Sequence, residues 1–205
     1  MSHFAVAVFT KKKPTEYLID EMLEPFWEGD GSQDENWPNF IKSADDDYYY
    51  NPDAKWDWYV IGGRWQNRLK VKEGCEYFNL NTSIHAQDVP GWTNTCHVSS
   101  IDFEGMRAKK LEDLTPYEKV AKEGWWKEEY FRKMYPTEAE YIERETTFTT
   151  YAVLTPDGEW IALGEMGWWG FSSDTPEEQR EWDRNYHKFF EQFADCYITV
   201  VDCHI

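Results

Sequence analysis

The chain has 205 residues, with 39 acidic against 21 basic side chains and a formal net charge of −18. That balance excludes a general phosphate-tracking surface for nucleic acid, which needs a basic face, and no apolar run reaches the roughly 20 residues of a membrane helix. Hydrophobic residues make up 41% of the chain and aromatics 18%; the apolar ones fall in patterned runs, enough for a core without staples.

His3 to Thr10, HFAVAVFT, is a continuous apolar run ended by KKKP, which predicts a buried strand. The charges of this opening segment follow the apolar stretch, whereas a secretory leader places them before it, so a cytoplasmic protein is expected. Pro14 and Thr15 open a predicted helix. Its Tyr17, Leu18, Met22, Leu23, Phe26 and Trp27 recur at three- and four-residue spacing and make one apolar face. Gly29 ends it, and residues 29–54 read as a long loop. Within it DDDYYYNPD is acidic, then aromatic, then turn-forming, and long loops in compact domains are often functional.

Trp56 to Ile61 predicts the second strand. Alternation places Trp56, Trp58 and Val60 on one face and Asp57, Tyr59 and Ile61 on the other. Gly62 and Gly63 permit a bulge or a close backbone approach, and Arg64 to Val71 continues past that bend or forms the next strand. Residues 72–95 are weakly patterned, and Val98 to Phe103 predicts a short strand. Thr115-Pro116 and Thr137 start two helices broken near Pro136.

Phe148 to Leu154, the turn Pro156-Asp157-Gly158 and Glu159 to Leu163 predict a hairpin. GEMGWWGFSSD, residues 164–174, is a loop rich in Gly and aromatics. Thr175 starts a helix with Trp182, Tyr186, Phe189, Phe190 and Phe193 along one side, and Cys196 to Cys203 is a final buried strand. This order predicts an α+β fold with a ferredoxin-like split β-α-β sheet, helices on one face, and the first and last strands adjacent near its centre. No Ser/Gly linker divides the chain. A single domain over 1–205 is expected, its core formed by 1–71 and 148–205 and an insertion at 72–147.

No phosphate-binding loop, dinucleotide fingerprint, nucleophile elbow or H-E-x-x-H motif is present, so no catalytic residue, cofactor or metal is assigned. Cys75, Cys96, Cys196 and Cys203 form no C-x-x-C pair and read as reduced, buried thiols. Cys96-His97 and Cys203-His204 are adjacent pairs, and neighbours on a strand face opposite ways, so neither pair is expected to share a zinc ion. Cys203 is expected in the core and His204 at the surface, at the chain end. Asp45, Asp46 and Asp47 lack the spacing of a calcium loop.

The aromatic segments remain. Tyr59, Gly62, Gly63, Arg64, Trp65 and Arg68, with Trp168 and Trp169, are the candidate ligand-binding residues. A ring beside a guanidinium stacks on a planar group, and the guanidinium binds an anion bidentately. The Trp168-Trp169 loop precedes a helix N-terminus, which favours anions. The competing reading is structural: the Trp residues, Trp56 and Trp58 first among them, fill space, and an Arg in so acidic a chain pairs with a carboxylate.

WDWYVIGGRW also resembles a signature of uncharacterised proteins from bacteriophages and from bacteria carrying phage-derived genes. Those proteins pair a D-W-Y-x-I-G-G-R-W segment with a short N-terminal strand. The matching residues are Asp57, Trp58, Tyr59, Ile61, Gly62, Gly63, Arg64 and Trp65, a short part of the chain. The resemblance implies a phage or mobile-element accessory role in the host cytoplasm and carries no activity with it. The expectation is a non-enzymatic accessory or anti-defence protein that binds a small planar anion such as a nucleotide. One alternative is an acidic surface that blocks a basic host protein by imitating nucleic acid, and the third is an enzyme of unknown reaction. Neither direct nucleic-acid contact nor a membrane is expected.

Overall fold

The structure, a computed structural model, describes residues 2–164 and 173–205. Strand β1, His3–Thr10, is buried from Phe4 onward. Helix α1, Glu16–Leu23, is capped by Thr15, whose hydroxyl accepts the Leu18 N–H. The long loop that follows carries a two-residue ribbon of β2 (Ile41–Lys42) and β3 (Tyr49–Tyr50). Strand β4, Trp58–Ile61, stops at Gly62. Then come β5 (Leu69–Lys70), which pairs with β6 (Trp92–Thr93), and β7 (Thr95–His97). Four helices follow: α2 (Phe103–Asp113), α3 (Tyr117–Glu123), α4 (Glu128–Met134) and α5 (Glu138–Thr146). The hairpin of β8 (Ala152–Leu154) and β9 (Trp160–Ala162) leads to α6 (Pro176–Asn185), α7 (His187–Gln192) and β10 (Tyr197–His204).

Six strands form a mixed sheet in the order β4-β10-β1-β8-β9, with β7 also on β10. The first and last strands are neighbours, as expected: β1 and β10 pair antiparallel from His3↔His204 to Thr10↔Tyr197. Strand β4 is antiparallel to the far end of β10, so β1 and β4 run parallel with β10 between them and α1 as their crossover. That is a split β-α-β unit. The rest departs from a ferredoxin-like order, because β8 lies beside β1 and parallel to it.

The helices occupy both faces of the sheet, not one. Phe4, Val6 and Val8 point one way and meet Ile19 and Leu23 of α1. Ala7 and Phe9 point the other way and meet Tyr186, Phe190 and Phe193 around α7. A strand that is apolar on both sides requires cover on both sides.

The segment 72–147 also departs from the expected insertion. It contributes β7 to the central sheet, while Tyr117, Ala121, Phe131 and Tyr141 of α3–α5 form a small apolar cluster of their own. Val98 to Phe103 is a single turn of 3-10 helix followed by the start of α2, not a strand. The Asp102 side chain accepts the Gly105 N–H and starts that helix. Residues 115–145 hold three helices where two were expected. No helix among the described residues is long and apolar enough to cross a membrane.

Candidate functional site

The sheet faces solvent chemistry at one end, where β1 begins, β10 ends and β4 begins. On β10, Asp202 and His204 are two residues apart and share a face. Opposite His204 on one side is His3, and on the other Trp58. Asp202 is 2% exposed and His204 4%, so both need partners.

They have them. His3 Nδ1 lies 2.8 Å from Asp202 Oδ1, and the Arg64 backbone N–H donates to Asp202 Oδ2 at 2.8 Å. His204 Nδ1 lies 2.7 Å from Asp57 Oδ1. A carboxylate only accepts, so each ring donates from Nδ1. The His3 and His204 rings meet edge to face at 5.0 Å. Trp58 stacks on His204 at 4.9 Å and 18°, and touches His3 edge-on at 5.2 Å. Trp58 as a residue remains 43% exposed.

The Gly-Gly pair explains how the turn fits. Gly62 and Gly63 have φ of +85° and +53°, values that an L side chain resists. A Cβ on Gly62 would strike the buried Asn94 side chain, and one on Gly63 would strike the Asp202 carboxylate. Asn94 itself is held: it donates to Leu80 O and accepts the Asn67 N–H. The turn is thus wedged between two buried polar side chains.

The candidate residues divide. Gly62, Gly63 and the Arg64 backbone belong to this cluster, and the Arg64 side chain is exposed with no ion pair among the described residues. Trp65 packs partly buried against the core on the α7 side. Arg68 is half-buried, with its guanidinium 5.8 Å from the Phe148 ring centre, and burial lowers its pKa. Tyr59 points to the opposite face, donates to Asp20, and has its phenol pushed up by burial and then by Asp20. Trp168 and Trp169 lie outside the described residues.

Two expectations change. Trp56 and Trp58 do not share a face. Trp56 precedes the strand, is buried on the α1 side, and donates its ring N–H to Leu23 O. The chain is re-aimed at Asp57, which accepts the Trp58 N–H and the His204 ring. Trp58 is then the exposed one. His204 is buried and paired, not a surface cap, whereas Cys203 is in the core as expected.

Sequence reasoning missed His3, Asp57, Asp202 and His204. The available signal was polar residues at alternate positions of an otherwise apolar strand, V-D-C-H, where each polar side chain needs a partner. Five clefts among the described residues are lined by other side chains, not by His3, Trp58, Arg64 or His204. No protein-family model, curated protein or solved structure matches the chain.

Proposed function

We propose that the chain binds a small anionic ligand with a planar group, such as a nucleotide, across Trp58 and Arg64. The observation that carries this reading is Arg64. In a chain with 39 carboxylates, the exposed Arg64 side chain has no carboxylate partner among the described residues, and its backbone N–H binds Asp202, the carboxylate that also holds His3 under the exposed Trp58. An Arg and an aromatic face together suit an anion attached to a planar group. Trp58 replaces Trp65 and Tyr59 as the stacking ring in this reading.

The phage-type accessory or anti-defence role, in a host cytoplasm, is part of the same proposal and rests on the WDWYVIGGRW resemblance. The ferredoxin-like likeness is proposed only for the β1-α1-β4 unit. The net charge of −18 supports a second reading, an acidic surface that engages a basic protein.

Calorimetric titration with nucleoside mono-, di- and triphosphates tests the first reading. Arg64→Ala is expected to weaken binding about ten- to a hundred-fold, the worth of a hydrogen bond to a charged group, and to leave the Tm near wild type, since exposed ion pairs contribute little. No binding by the wild type, or equal binding by Arg64→Ala, would sink it. Salt-sensitive binding to a basic protein, with no nucleotide binding, would favour the second.

A further inference from the structure

The two histidines offer a chemistry that binding alone does not use. Each commits Nδ1 to a carboxylate, at 2.8 and 2.7 Å. Neither Nε2 has a hydrogen-bond partner among the described residues, and the His3 and His204 side chains keep 11% and 6% of their surface exposed. A carboxylate at Nδ1 fixes the ring and stabilises the imidazolium that forms when Nε2 takes a proton. With the rings 5.0 Å apart on neighbouring strands, one small group spans both.

Displacement at a phosphate ester requires a base for the nucleophile, an acid for the leaving oxygen, a cation for the phosphoryl oxygens and a platform for the rest of the substrate. His3, His204, Arg64 and Trp58 are those four kinds of group: Asp202 and Asp57 hold the two rings, Trp58 lies against both, and Arg64 is on the turn whose backbone binds Asp202. We propose that this cluster hydrolyses a phosphodiester bond in a small nucleotide, with His3 and His204 as the acid–base pair. The inference rests on the nucleotide-binding reading above.

In the step, the neutral imidazole takes a proton from water as the water oxygen bonds to phosphorus. The P–O ester bond breaks, and the imidazolium gives its proton to the departing oxygen. The products are a phosphomonoester and an alcohol. One ring has gained a proton and the other has lost one, and exchange with solvent restores the pair. The charged groups facing His3 are Asp202 and His204; those facing His204 are Asp57 and His3; Arg64 stands on the adjoining turn. The step needs one ring neutral and the other protonated, so a rate that falls on both sides of a maximum is expected.

The test is release of nitrophenol from bis(4-nitrophenyl) phosphate, and cleavage of a dinucleoside monophosphate, by the full chain from about pH 5 to 9, the range in which imidazoles titrate. A bell-shaped rate is expected. His3→Gln and His204→Gln should each lower kcat by about 10²–10⁴-fold, with nucleotide affinity by calorimetry within a few-fold of wild type. Should either variant fail to fold, diethyl pyrocarbonate modification of the native protein, mapped by mass spectrometry and reversed by hydroxylamine, replaces it. Turnover should vanish with modification of either ring and return on reversal.

Binding without turnover, or turnover that survives loss of both rings, overturns the catalytic inference and leaves the binding reading standing. Absence of both binding and turnover overturns the two together.

Discussion

Gly63 shows how tightly one position is specified. Its left-handed φ alone would cost another residue about 1–3 kcal/mol, and its missing Cβ leaves the space that the Asp202 carboxylate occupies. Gly63→Ala should therefore lower stability by at least that roughly 1–3 kcal/mol in chemical denaturation. Gly31 has a similar φ of +84° but open space around it, so Gly31→Ala should cost less. Equal effects at the two positions would show that the contact with Asp202 is unimportant. The need for glycine at 62 and 63 was legible in the sequence, since Gly-Gly at a strand end announces a close approach. Its object was not: Asp202 lies 138 residues from Arg64, and nothing local to either residue names the other. His204 and Asp57, 147 residues apart, were hidden for the same reason.

At the scale of elements, strands β1 and β10 were readable because both are continuous apolar runs, and such runs pair at the centre of a sheet. Helix α2 was not. Its sequence FEGMRAKKLED has a Gly in the first turn and only Met106 buried, so it shows little of the periodicity that marks a helix. It is placed by its Asp102 cap, by the Lys70–Asp102 ion pair at 2.8 Å and by Arg107–Glu143 at 2.8 Å. Helices α3–α5 instead carry their own cluster around Phe131, which is 2% exposed. Phe131→Ala should cost about 3–5 kcal/mol of local stability. Because the cluster is separate from the two that clasp the sheet, amide exchange should quicken in α3–α5 while β1 and β10 stay protected. Uniform loss of protection would mean that the helices and the sheet unfold as one.

For the whole molecule, the buried thiols and phenols set the alkaline limit. Burial pushes the Cys96 thiol up to about 12 and raises Cys203 and Tyr186 as well. The folded state holds these protons more tightly than the unfolded chain, so their contribution is complete below the ordinary thiol value of 9.0 and is lost as pH rises toward about 12. The urea midpoint should fall steadily across that window, and Cys96→Ala should flatten the fall. A midpoint unchanged by alkali would contradict this.

The pairing of β1 with β10 has a further consequence for how the molecule comes into being. The histidine cluster draws on residues 3, 57, 202 and 204, so it cannot assemble before residue 204 is made. During synthesis, which proceeds at about 5–20 residues per second, β1 is made well before β10, the strand it pairs with. Contacts so far apart along the chain are also slow to form. The cluster of His3, Asp57, Asp202 and His204 therefore forms only after β10 has been made and has paired with β1.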